Sequence, residues 1–215
     1  MREGQAVSPH CIFLTISTAG TTPTGSSTLT ITGTGGGNLT HTATVTLVVT
    51  PGSGTPAFQI NSGGPAVAPF AADAFFSGGQ TSSTTAAIDT SGVTNPAPTA
   101  VYQTERWGGD AAFHPAPFSY TFSNLTAGAN YTVRLHFAEI FWTAAGQRKF
   151  NVAINGTQVL TNFDIIAAAG TANKAIVQEF TTTATSTGTI GISFTVGTAD
   201  APKISGIEII PAGPP

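Results

Sequence analysis

The sequence predicts an all-β protein: one antiparallel β-sandwich preceded by a β-hairpin. Three observations point there. Several segments alternate polar and apolar residues with period two, no segment carries a sustained helical period with caps, and a chain rich in Thr, Ser, Gly and Ala is only 8% charged. Its 215 residues suffice for one domain of ordinary size plus a fragment, while two complete large domains would fit tightly.

The first alternating segments are Thr28-Leu29-Thr30-Ile31-Thr32 and Thr44-Val45-Thr46-Leu47-Val48-Val49, separated by the turn-rich Gly33-Thr34-Gly35-Gly36-Gly37-Asn38. They predict the hairpin, and Cys11 to Ile16 reads as a further strand, being too short for a signal-peptide core. The order from Pro23 to Val49 resembles the last strands of bacterial immunoglobulin-like repeats. A complete sandwich of that kind needs about 100 residues and seven strands, so residues 1–50 are expected to be the tail of a truncated domain. Such a piece would expose an apolar face and unpaired edges. Pro51-Gly52-Ser53-Gly54-Thr55-Pro56 is a linker by composition, which puts the boundary at 51–57 and a second, complete domain at 58–211.

Within that second domain Tyr131, Val133, Leu135 and Phe137 share one face of a strand. Phe150, Val152 and Ile154 alternate up to Asn155-Gly156, a dipeptide suited to a tight hairpin turn, and Gln158-Val159-Leu160 returns. Ile190, Ile192, Phe194 and Val196 form another strand, and Ile204, Ile207 and Ile209 mark a last one. Loops at the ends of such a sandwich supply any binding site.

Composition excludes several function classes. The net charge is -3, and the seven Lys and Arg residues form no cluster that could follow a phosphate backbone, so nucleic acid is not an expected partner. No apolar run approaches the roughly 20 residues that span a bilayer. Cys11 is the only cysteine, which excludes an internal disulfide and a thiolate metal cluster. His136 has no Asp or Cys spaced beside it as a metal site requires and reads as structural or solvent-facing. No metal and no cofactor enters the reading. Low charge and abundant Thr and Ser fit an exported protein, extracellular or at a cell surface, belonging to a larger multidomain chain.

Both tryptophans, Trp107 and Trp142, fall at the ends of predicted strands, and Phe141 precedes Trp142 directly. Flat aromatic faces suit pyranose rings, whose C–H groups stack on a π-surface while neighbouring polar groups bind the hydroxyls. By pattern alone, burial in the core competes with this role and is the commoner fate of large aromatics.

The segments Asn61-Ser62-Gly63-Gly64, Val101 to Trp107, His136 to Trp142, Gln147 to Val152, Asn155-Gly156, Asp164-Ile165 and Asp200 to Ile204 together resemble the malectin family, in that family's order, over roughly residues 58–211. The resemblance implies a jelly-roll-type β-sandwich that binds glucose-containing oligosaccharides without catalysis. It places Trp107, Phe141, Trp142 and Asp200 at the family's aromatic and aspartate positions. One departure concerns specificity: a further tyrosine, present in the family's best-known glucose-disaccharide binder, has no aromatic counterpart around Thr81 to Thr85. A more open pocket and weak affinity follow.

Two other readings compete. A glycoside hydrolase would need two carboxylates flanking a bond, for which Glu105, Glu139, Asp164 and Asp200 are the candidates, though nothing in their spacing singles out a pair. A structural stalk would keep the fold without sugar affinity. Glu105 and Arg106, adjacent in the most distinctive motif, are expected to be buried structural charges. Asn38, Asn124 and Asn155 begin Asn-X-Thr triplets that a Thr-rich chain produces by chance.

Overall fold

The computed structural model describes residues 25–35, 39–49, 55–110, 112 and 114–212. These fall into two compact units. The first holds β1 (Gly25–Gly35) and β2 (Leu39–Val49), paired antiparallel along their whole length. The register sets Thr28, Thr30, Thr32 and Thr34 opposite Thr46, Thr44, Thr42 and Thr40 on one face, and Leu29 and Ile31 opposite Val45 and Ala43 on the other. Ile31 and Val45 are exposed, and a two-stranded ribbon with an open apolar face has little stability by itself. The predicted hairpin is therefore present and longer than its alternating core. The strand expected at Cys11 to Ile16 and most of the expected linker lie outside the described residues.

The second unit contains β3 (Phe58–Asn61), β4 (Phe76–Ser77), β5 (Gln80–Ser83), α1 (Thr99–Tyr102), β6 (Thr104–Trp107), β7 (Phe118–Phe122), β8 (Asn130–Ala138), β9 (Lys149–Ile154), β10 (Thr157–Phe163), α2 (Ile165–Ala169), β11 (Ala175–Thr183), β12 (Ile190–Ala199), β13 (Lys203–Ile204) and β14 (Gly206–Pro211). Five strands in the order β10-β9-β12-β7-β4 form one sheet, and four in the order β11-β8-β14-β3 form the other. A small third sheet, β13-β6-β5, stands beside them. Every strand ladder is antiparallel.

The sandwich is closed by the alternation read in the sequence. Tyr131, Val133, Leu135 and Phe137 of β8, with Ile207 and Ile209 of β14, meet Phe118, Tyr120 and Phe122 of β7, Phe150, Val152 and Ile154 of β9, and Ile190, Ile192 and Phe194 of β12 in one buried cluster. Phe118 and Phe194 stack at 4.6 Å, with planes 2° apart. Full burial of each such side chain contributes about 1.5–3 kcal/mol. The turn after β9 has the predicted chemistry: Asn155 and Gly156 both take positive φ, 48° and 80°, as a two-residue hairpin of the right twist requires.

The outer face of the four-stranded sheet is not solvated. The chain from Ile88 to Tyr102 crosses it, packing Ile88, Ala97, Val101 and Tyr102 on Ala138 and Ala175. Beneath lies a polar network. The Tyr102 hydroxyl meets His136 Nδ1 at 2.9 Å, His136 Nε2 meets Glu208 Oε1 at 2.7 Å, and Glu208 also accepts from Arg134 at 2.8 Å and Gln59 at 3.0 Å. Of the two alternatives for His136, the structural one is correct: it points away from Leu135 and Phe137, as alternation requires, but is completely buried. The helices differ from expectation. Both are too short to generate a period, although α2 carries an Asp164 N-cap accepting from the Ala167 amide at 3.0 Å and a left-handed Gly170 C-cap.

Burial lowers the His136 pKa, outweighing the opposing pull of Glu208. The folded protein thus keeps this imidazole neutral, whereas the unfolded chain takes up a proton as pH falls through about 6.5. Because the unfolded state then binds more protons, stability is expected to fall between pH 7.5 and 5.5. Urea unfolding midpoints at the two values check this, with His136→Gln expected to flatten the difference.

Candidate functional site

The four aromatic and acidic residues singled out by resemblance occupy loops and strand ends. Phe141 and Trp142 sit in the connection from β8 to β9, which crosses from the four-stranded sheet to the five-stranded one. Asp200 occupies the turn between β12 and β13, and Ala199 pairs with Lys149 at the start of β9, beside the end of that same connection. Three of the four are in direct contact. Phe141 and Trp142 meet edge to face at 4.8 Å, and Trp142 Nε1 donates to Asp200 Oδ2 at 2.5 Å. Phe141 is 67% exposed, the most open large hydrophobic side chain among those described.

Trp107 ends β6, directly opposite Lys203 of β13. The amide of Gly108 donates to the carbonyl of Pro202 at 2.7 Å, which ties this strand end to the Asp200 turn. The indole of Trp107 lies over Gly109, where any Cβ would overlap its six-membered ring. The glycine is thus a seat for the half-buried ring. On the other side, Trp107 pairs with Gln80 of β5, whose next residues Thr81, Ser82 and Ser83 are short and exposed. This is the flank where no aromatic was found in the sequence, and it is open.

A buried charge network shapes the loop. Glu139, 1% exposed, accepts the amides of Phe141 and Trp142 on Oε1 at 3.0 and 3.1 Å and the guanidinium of Arg148 on Oε2 at 2.7 Å. Arg148 also reaches Asp200 Oδ2 at 3.2 Å and donates to the carbonyl of Ala201 at 2.5 Å. Lys203, fully buried, pairs with Glu105 and donates to the carbonyl of Ala138 at 2.5 Å, one residue before Glu139. Burial pushes the Glu139 carboxyl upward, but Lys203, Arg148 and the loop amides outweigh it and hold it below the usual carboxylate range. Farther round the loop, Gln147 accepts from the amides of Thr143 and Ala144 at 3.3 and 2.8 Å, and Asp164 accepts from Gly146 at 2.5 Å.

These partners assign the remaining sequence candidates. Glu105 and Arg106 are both buried and both paired, though not with each other. Arg106 points to the opposite face of β6, bonding Asp73 at 2.7 Å and lying over the Phe76 ring at 3.3 Å. Glu139 orients loop amides and Asp164 caps a helix. All four carboxylates weighed for hydrolysis are thus engaged by groups of the fold, and at the partly exposed Asp200 both contacts fall on Oδ2, with no donor to Oδ1 among the described residues. In the sequence Arg148, Gln147 and Lys203 stand out only as members of motifs. Their signal was a set of cations and amides adjoining aromatics in a chain with few charges. Among the described residues no group of three or more potential metal ligands is brought together.

Removing Arg148 takes from the buried Glu139 the cation hydrogen-bonded to it, leaving the charge of Lys203 to offset burial. Arg148→Met is expected to cost about 3–5 kcal/mol, whereas Asp200→Asn, at a partly exposed position, costs much less. Denaturant unfolding followed by tryptophan fluorescence compares the two.

A protein-family model, the malectin domain, matches residues 57–207. Among curated proteins, the chain is 32% identical over 119 residues to a probable receptor-like protein kinase of Arabidopsis thaliana, covering 53% of this chain and 14% of that protein. It is 27% identical over 127 residues to Malectin-B of Xenopus laevis, covering 54% of this chain and 44% of that one. The chain therefore spans less than half the length of either relative, and both come from eukaryotes. Two solved structures share the fold. The ANX2 ectodomain of Arabidopsis thaliana has a TM-score of 0.65 at 21% identity, over 73% of this chain and 50% of that one. The ANX1 ectodomain has a TM-score of 0.66 at 19% identity, over 85% and 53%. No helix among the described residues is long and apolar enough to cross a membrane. With the family model matched over most of its length, the chain belongs to the malectin domain family.

Proposed function

We propose that this chain is a non-catalytic carbohydrate-binding module for glucose-containing or related oligo- and polysaccharides, with Trp107, Phe141, Trp142 and Asp200 as its site. The observation that carries the reading is an aromatic pair with one ring 67% exposed and the other locked by its indole N–H to a carboxylate. Exposure of a large aromatic in a rigid loop costs hydrophobic stabilisation, and a sugar face recovers it. Asp200 spends Oδ2 on Trp142 and Arg148, leaving Oδ1 to accept from a sugar hydroxyl. Its backbone is held at φ 52°, a costly conformation of the kind that clusters at ligand sites.

The open flank at Thr81 to Ser83 supports a shallow site with a dissociation constant in the micromolar to millimolar range; about 1 mM corresponds to roughly -4 kcal/mol. Retention then depends on neighbouring modules of a larger secreted or surface protein. The hairpin β1–β2 serves in this reading as a piece of an immunoglobulin-like sandwich of bacterial surface-protein type, whose further strands would cover Ile31 and Val45. The alternative is a stalk that keeps the fold without affinity.

A glycan array separates the two, since signal across glucans and plant glycans supports the module and a blank array supports the stalk. Where binding is found, Phe141→Ala is expected to weaken it about 3- to 10-fold, the size of one aromatic contact. Its melting temperature should hardly change, because so little of the ring is buried. Calorimetry and thermal unfolding on the same preparation give both numbers.

A further inference from the structure

Among its described residues the second unit exposes one other aromatic patch, Phe75 and Phe76, 48% and 44% exposed at the edge of the five-stranded sheet. Phe75 has φ 67°, a conformation that bulky side chains rarely adopt. Its ring is wedged against Phe58 at 5.2 Å and Phe122 at 5.7 Å. Phe76 is held differently. The Arg106 guanidinium covers one face of its ring, 3.3 Å from the centroid, and is itself fixed by Asp73 and by the carbonyls of Gly78 and Gly79. The ring is therefore pinned from behind while much of its surface remains open.

The place of this ring relative to the site matters. Phe76 lies four residues before Gln80, which pairs with Trp107, so the Phe76 and Trp107 backbones are at most about 20 Å apart, the length of a few sugar units. Between them run Ser77 and the Gly78-Gly79 turn, both glycines at positive φ and neither with a side chain to obstruct a passing chain. Phe76 sits on the Arg106 face of β6 and Trp107 on the other, so a chain joining them passes around the β5 edge, where Thr81, Ser82 and Ser83 are short and exposed.

Resting on the carbohydrate reading above, we propose that the site continues across the Gly78-Gly79 turn onto Phe76, so that the module grips the interior of a polysaccharide chain. The occupant is a run of pyranose rings: one held among Trp107, Phe141, Trp142 and Asp200, and one several units away stacked on Phe76. A neutral ligand with apolar C–H faces matches this path, which offers aromatic surface and small polar groups.

Calorimetry with malto-, cello- and laminari-oligosaccharides from two to seven units tests it on the full chain. In the series that binds, affinity is expected to rise roughly 5- to 10-fold from the disaccharide to the longest member, the size of one added aromatic contact. Phe76→Ala should abolish this gain and leave disaccharide affinity unchanged, and Phe76→Trp should keep or enlarge it. A purely statistical gain from extra binding registers would survive Phe76→Ala, and that result overturns the proposal. So does affinity independent of length. Because Phe76 shields Arg106, Phe76→Leu is measured alongside: it keeps an apolar cover but no ring, and is expected to lose the gain while melting near the parent temperature. Full retention of the gain in Phe76→Leu also counts against the proposal. Wild-type protein that binds no member of any series overturns the carbohydrate reading, and the extension falls with it. Disaccharide binding without a length-dependent gain removes the extension alone.

Discussion

The pairing of Glu139 with Arg148 is the constraint on which the candidate site depends. Two charges taken out of water need close geometry and further hydrogen bonds to compensate their lost hydration. Here that requirement is met by the loop itself. The second oxygen of Glu139 takes the amides of Phe141 and Trp142, and the remaining reach of Arg148 goes to Asp200 and the Ala201 carbonyl. The ion pair therefore cannot be satisfied unless the aromatic loop and the aspartate turn hold their relative positions. That is how a connection between two sheets becomes rigid enough to present an exposed ring.

The same economy runs through the molecule. Of seven Lys and Arg residues, Arg106, Arg134, Arg148 and Lys203 are engaged with carboxylates at sites that are largely or wholly buried. Low charge in the composition thus means more than a neutral exterior. The charges that remain serve largely as internal ties, each joining elements that hydrophobic packing alone would leave free to slide. Arg134 and Glu208 fix the cover over the four-stranded sheet, Lys203 and Glu105 fix the third sheet to the end of β8, and Arg106 and Asp73 secure the edge at Phe76. Directional bonds of this kind select one arrangement, whereas apolar contact favours many.

Much of the fold was legible as alternation. Strands β8, β9, β12 and β14 are buried on the face that Leu135, Val152, Ile192 and Ile207 mark, because a sheet with one face on a core repeats every two residues. Less legible were β5 and β6, whose buried members include Glu105 and Arg106 and so break the apolar pattern, and β4, which has only two residues. The one-turn helices also left no trace, since α2 rests on an Asp164 cap and a left-handed glycine rather than on a repeating face.

For the site, the sequence by itself determined the local chemistry: which residues are large and flat, which are acidic, and where turns such as Asn155-Gly156 must fall. These follow from side-chain identity and backbone preference over a few residues. Only the tertiary structure decided that Trp142 and Asp200, 58 residues apart, share a hydrogen bond. It also turned Glu139 inward to hold amides while Phe141 was left in water. Such outcomes depend on which chain ends meet at one end of the sandwich and on where each buried charge finds its partner, and neither is encoded in the spacing of residues along the chain.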